Sequence, residues 1–185
     1  LVSLGFLIGQ GIGRWGNFVN QEAFGTNTTL PWGMYSEGTE AYLKSVQVTL
    51  PAGVTVDPAA PVHPTFLYES IWCLVGFAVL ASLYKKRRFN GQIFLGYIIW
   101  YGLGRAWIEG LRTDSLYLFH WTLFGQRIRV SQALSLVMVL VCAGILVYQF
   151  KVKKADGSNL FVKRVQQTTE AEEAAAEPTA PDEKQ

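Results

Sequence analysis

The sequence predicts an all-α, polytopic transmembrane bundle with a larger outward loop and a disordered C-terminal tail. Three observations carry that expectation. Half of the 185 residues are hydrophobic, six are Trp, and the mean hydropathy is +0.19. Segments 66–84, 93–111 and 133–150 are each near the ~20 apolar residues that cross the hydrocarbon core as a helix. Lys and Arg are concentrated in two of the four connections, as in multi-pass membrane proteins.

Segment 1–12 is apolar but too short to span alone, and it reads as the end of a truncated transmembrane helix in the C-terminal portion of a larger membrane protein. Of the three full spans, 66–84 carries Glu69 near its start, 93–111 carries Arg105 and Glu109, and 133–150 carries no charge. Lys85, Lys86, Arg87 and Arg88 follow the first full span, and Lys151, Lys153, Lys154, Lys163, Arg164 and Lys184 follow the last. Loop 26–65 has Lys44 alone, and loop 112–132 has Arg112, Arg127 and Arg129. The positive-inside bias therefore places 85–92 and 151–185 in the cytoplasm and the two longer loops on the periplasmic or extracellular side. Trp32 and Trp121 fit an interfacial aromatic belt there.

Loop 26–62 is large enough for a small lid or head piece, and Pro51, Gly53, Pro58 and Pro61 suggest turns and short strands at most. The membrane domain is taken as 1–155. The tail, 156–185, reads as disordered and solvated: 166–185 holds much of the acid content among Ala, Thr, Pro and Gln. Cys73 and Cys142 sit in apolar spans, without metal-ligand spacing, and suit packing. No metal or cofactor is expected. The sequence has no Walker-type loop and no dinucleotide fingerprint, and the net charge of +2 gives no sign of a nucleic-acid partner.

Polar residues gather in three places. Gly13-Arg14-Trp15-Gly16-Asn17-Phe18-Val19-Asn20-Gln21-Glu22-Ala23-Phe24-Gly25 sets Arg14, Asn17, Asn20 and Glu22 directly behind the first apolar run. Tyr101, Arg105, Glu109 and Arg112 recur at helical spacing and share a face within an arc of about 80°. Each intramembrane charge costs about 3 kcal/mol, so a stripe of them inside a span reads first as a functional site. An Arg105–Glu109 pair that fastens helices is the plainer alternative. His63-Pro64-Thr65-Phe66-Leu67-Tyr68-Glu69 lies where the outer loop joins a span. Read alone, His63 can be a cap or a solvated residue, and Glu69 can complement a helix N-terminus.

Arg14 and Arg105 lie on different segments at similar depth. Two guanidinium forks in a low-dielectric pocket suit a phosphodiester, and phospholipid head groups are the nearest abundant ones. Glu22, Glu109, His63, Tyr68 and Tyr101 are groups able to orient or move protons. Physics alone leaves three readings open: an enzyme, an anion transporter and a non-catalytic lipid-binding subunit.

The three stretches resemble, in order, the signature, the His-Pro…Tyr-Glu element and the late-helix element (Tyr101 to Asp114) of the bacterial prolipoprotein diacylglyceryl transferases. The resemblance covers about residues 1–150. It implies an enzyme of the bacterial cytoplasmic (inner) membrane that moves the diacylglyceryl group of phosphatidylglycerol onto a cysteine thiol of a preprolipoprotein signal peptide. A thioether forms and glycerol phosphate leaves, in the first step of lipoprotein maturation. Its implied catalytic residues are Arg14, Arg105, Glu109 and Tyr101. Its implied substrate-binding residues are Arg14, Asn17, Asn20, Glu22, Gly25, His63, Tyr68, Glu69 and Arg112. The family also carries an upstream His-Gly element that precedes this chain, so residues 1–185 alone are expected to be inactive.

Overall fold

The computed structural model describes residues 2–47, 55–111, 117–123, 126–158 and 160–176. Four apolar helices form a bundle. Helix α1 (Val2–Val19) lays Leu4, Leu7 and Gly11 against α3 (Thr65–Tyr84). Helix α4 (Gln92–Ile108) returns beside α3, starting behind Gly91 at φ 95° and ending in a 3-10 turn, Glu109–Leu111. Helix α5 (Val130–Val147) packs on the far side of α4 and runs into a π-helical turn, Tyr148–Val152. The buried core between α1, α3 and α4 is Leu4, Leu7, Cys73, Leu80 and Ile93.

Two of these helices are long and apolar enough to cross a membrane: Thr65–Tyr84 and the run Val130–Val152, with mean hydropathies of 1.8 and 2.4. Helix α4 has 17 residues and reaches the expected length of its segment only with the 3-10 turn. Helix α5 leaves Leu134, Val137, Leu140 and Val141 exposed, an apolar surface that suits lipid rather than water.

Helices α3 and α4 are joined by a reciprocal clasp. The Trp72 indole N–H donates to the Trp100 carbonyl at 2.9 Å, and the Trp100 N–H donates to the Trp72 carbonyl at the same distance. The rings stack at 4.7 Å. Each indole lies over a glycine of the opposite helix: a Cβ on Gly104 would sit 2.3 Å from Trp72 Nε1, and one on Gly76 would sit 2.3 Å from Trp100 Nε1. Small residues thus let the backbones approach closely enough for the exchange.

Four sequence expectations are corrected. The first apolar segment does not stop at residue 12; α1 continues to Val19, so Arg14 and Asn17 lie on its last turns. The outer loop contains a helix, α2 (Glu37–Val46), which Ser36 and Thr39 start with a reciprocal capping box. Leu43 of α2 joins Phe24, Val56 and Val62 in a small separate core. The fold is predominantly helical but not all-α: β1 (Tyr117–Leu123) pairs antiparallel with β2 (Gln126–Arg129), as aromatic and β-branched residues there favour. Finally, Phe161–Ala176 of the expected disordered tail forms α6, where Gln, Glu and Ala are good helix formers.

Candidate active site

The chain leaves α1 through a tight turn in which Gln21 and Ala23 adopt φ of 52° and 56°. The turn delivers Gly25 and Thr26 to a three-way junction. Gly25 N–H donates to the His63 carbonyl at 2.9 Å, His63 N–H to the Thr26 carbonyl at 3.0 Å, and Thr26 N–H to the Leu111 carbonyl at 2.7 Å. A Cβ on Gly25 would lie 2.7 Å from His63 Cβ and 2.8 Å from the Leu111 oxygen, so only glycine permits this approach. The three polar stretches of the sequence therefore meet at backbone level.

Beneath the junction lies a charge network. Arg14, from α1, pairs through Nε with Glu69 Oε2 on α3. Glu69 Oε1 stands 3.7 Å from Arg105 Nη1 on α4, and Arg105 Nη2 is 2.8 Å from Glu109 Oε2, one turn further on. Both carboxylate side chains are buried, at 7% and 6% exposure, while each arginine side chain is 22% exposed. A guanidinium carries five N–H donors, more than these contacts use. A cleft beside the network is lined by Glu69, Trp72, Cys73, Tyr101, Gly104, Arg105 and Ile108. Tyr101 stacks on Tyr97 at 6.0 Å, and Tyr97 accepts a hydrogen bond from Gln10 of α1 at 3.0 Å. Trp15 closes the α1 side by donating to Ser70 Oγ at 3.2 Å.

Tyr68 forms a second polar unit. Its hydroxyl accepts from the Trp32 indole at 2.9 Å and meets His63 Nδ1 at 3.2 Å, with its ring 6.3 Å from Trp107. Partial burial pushes the His63 pKa below its ordinary value of 6.5, favouring a neutral ring whose Nδ1, in the tautomer that leaves it unprotonated, accepts a hydrogen bond from the Tyr68 hydroxyl. His63 also borders an outer surface cleft with Asn27, Thr28 and Leu30.

The structure thus gathers Arg14, Glu69, Tyr101, Arg105 and Glu109, and it ties Gly25 and His63 to them through the junction. Glu69 holds both arginines instead of merely complementing a helix end. Asn17 is half-buried on the last turns of α1, whereas Asn20 and Glu22 pair with each other at 3.1 Å on the exposed turn. Arg14 is held by Glu69 of another helix. Arg112 lies outside the described residues. Sequence reasoning singled out neither Trp72 nor Trp100, and it gave no role to Trp15 in the first polar stretch or to Ser70 at the end of the third. The recurrence of Trp-x-x-x-Gly at 72–76 and 100–104 was the available signal for the first two.

The profile of the prolipoprotein diacylglyceryl transferases matches residues 1–148. This chain belongs to that family. Relatives named phosphatidylglycerol–prolipoprotein diacylglyceryl transferase agree. The protein of Listeria monocytogenes serovar 1/2a is 42% identical over 80% of this chain and 48% of its own length. That of Pediococcus pentosaceus is 45% identical over 78% and 47%, and that of Enterococcus faecalis is 44% identical over 76% and 46%. The chain spans about half the length of the curated relatives it matches. All three polar stretches fall inside the region matched to the transferase family.

Proposed function

We propose that this chain is the arginine-bearing half of an enzyme that transfers the diacylglyceryl group of phosphatidylglycerol to the cysteine thiol of preprolipoprotein signal peptides. The observation that carries the reading is the buried Arg14–Glu69–Arg105–Glu109 network, which draws all three family elements to one point. Arg14 and Arg105 bind the phosphodiester with their free N–H groups. They then stabilise the charge that grows on the phosphate as the bond between the diacylglyceryl carbon and its phosphate oxygen breaks. The cysteine sulfur, as thiolate, attacks that carbon; a thioether forms and glycerol phosphate departs with the electron pair. Glu69 and Glu109 act as positioning residues that aim the two forks, while Tyr101 walls the cleft. Asn17, Asn20 and Glu22 approach the glycerol head group from the α1 turn, and His63 and Tyr68 border its outer side; Arg112 is assigned to substrate binding by the family resemblance alone. No cofactor takes part in this scheme.

The same reading places the bundle in the bacterial cytoplasmic membrane, with the head piece outward and the segment after Val152 in the cytoplasm. The apolar α3 and α5 and the basic connections at one end support it.

The test uses a full-length protein carrying this chain, in membranes, with phosphatidylglycerol labelled in its diacylglyceryl glycerol and a peptide bearing a lipoprotein signal cysteine. Thiol-dependent label on the peptide, lost in Arg14→Ala and Arg105→Ala, is the expected result. Bound lipid without label transfer in the wild type would replace the enzyme by a lipid-binding or transport protein.

A further inference from the structure

At the end of the bundle away from the charge network, two basic connections meet. Arg88 lies over the Phe150 ring at 5.9 Å, and Phe89 packs edge-on against the same ring at 5.8 Å. Asn90 Oδ1 accepts the Phe161 N–H at 3.2 Å, and Gly157, at φ +88°, packs on the backbone of Arg87 and Arg88. The Lys85–Arg88 run and Lys151, Lys153 and Lys154 are thereby drawn to one end of the bundle as a cationic collar. Asp156 is the one acid in 85–92 and 151–160, and Ser158 occupies its carboxylate with hydrogen bonds from both N–H and hydroxyl.

Helix α6 starts from this collar. Leu160 is buried, at 8% exposure, and anchors the start of the helix. One residue later, Phe161, Val162 and Val165 are exposed at 64%, 47% and 47%, on a face bordered by Arg164. Helical spacing adds Thr169 to that face and sets Lys163 on the opposite side. Exposed apolar side chains flanked by cations, directly after an apolar helix, have the composition of a segment that lies in a head-group layer. From Glu170 the sequence turns acidic, which suits a helix that leaves an anionic surface after its first turns.

We propose that the first turns of α6 and the collar dock together onto the head groups of an anionic phospholipid bilayer. Phe161, Val162 and Val165 enter the acyl boundary, Arg164 and the collar meet the phosphates, and Lys163 adds longer-range attraction from the far side of the helix, within a Debye length of the surface. The inference rests on the membrane-embedded reading above. It commits to surface charge as the partner chemistry rather than to one lipid species.

The test reconstitutes the full-length protein with Cys73→Ala, Cys142→Ala and Thr169→Cys, the new thiol carrying a polarity-sensitive fluorophore. Vesicles are phosphatidylcholine alone, or phosphatidylcholine with either phosphatidylglycerol or phosphatidylserine. Both anionic mixtures should shift the emission to the blue. Each cation near such a surface contributes about fivefold in partitioning, so Lys163→Glu with Arg164→Glu should lower the inserted-to-free ratio at least about tenfold. Equal emission in all three vesicles, or indifference to charge reversal, would overturn the docking. A response to phosphatidylglycerol alone would replace it by a head-group-specific site. A blue shift that grows with protein concentration in detergent would replace it by self-association. Protein that carbonate extracts from the vesicles would sink the membrane reading, and the docking with it; extraction-resistant protein with charge-insensitive emission would sink the docking alone.

Discussion

Helices α3 and α4 meet twice, and the two meetings are built from opposite materials. Near the centre of α3, neutral indoles exchange hydrogen bonds with backbone carbonyls over glycine seats. Three residues toward the N-terminus of α3 from Trp72, Glu69 faces Arg105 and Arg14. The clasp shows that this helix pair is joined without any ionised group. A fastening role alone therefore does not account for four charges at the second meeting, each of which is costly in an apolar surrounding. The contrast weighs against the plainer reading of Arg105 and Glu109 as a mere tie and supports the proposed role of the network in chemistry.

The contrast breaks most visibly if the arginines prove structural. In the full-length protein, Arg14→Lys and Arg105→Lys keep the charge but lose the planar fork, and each should lower label transfer about 10²-fold or more. The melting temperature in detergent should barely move. A melt that collapses with activity would make the network a fastening after all. Next in size is Glu69→Ala, which leaves two guanidiniums facing one another without their shared carboxylate. A loss of about 3 kcal/mol in unfolding free energy is expected by chemical denaturation, with Glu69→Gln recovering part of it. Gly25→Ala forces a Cβ into His63 and the Leu111 carbonyl and should cost about 2 kcal/mol in the same measurement.

The clasp should show the reverse pattern to the arginines. Trp72→Phe or Trp100→Phe keeps most of the stacking and removes one indole N–H, at about 1 kcal/mol each. Trp100→Phe, which lies away from the cleft, should leave transfer within about fivefold of wild type on that energy scale. The smallest effect concerns His63. Its folded pKa is lowered from 6.5 by burial, so the neutral ring contributes stability in full above that value. The contribution is lost as the pH falls through the lowered pKa. Melting temperature should therefore drop on acidification below about pH 6.5, and His63→Gln should flatten that slope.

Apolar length and charge placement made the main helices legible in sequence, because a span is a long, uniform signal. The Arg105–Glu109 pairing was legible from helical spacing for the same local reason. The role of Glu69 was not. Its partners come from α1 and α4, and pairing across helices leaves no periodic mark in one segment. Helix α2 was missed because loop 26–62 was read through its prolines, although Ser36, Glu37 and Glu40 spell a helix start. The β1–β2 pair was hidden inside a segment treated only as a connection, and α6 was masked by composition: acidic, Ala-rich sequence fits both a disordered tail and an exposed helix.

The junction at Gly25 and Thr26 has a mechanical consequence. Thr26 is bonded through its carbonyl to His63 and through its N–H to Leu111, the last residue of the turn that begins with Glu109. The neighbouring Asn27 side chain holds the Asp57 and Ala60 carbonyls of the head piece. Pulling on Asp57 and Ala60 thus loads a short linkage through Asn27 and Thr26 that ends at the Glu109 turn. A tether attached to α2 would act as a handle on that turn, and force applied there should be felt at Arg105 before the apolar helices yield.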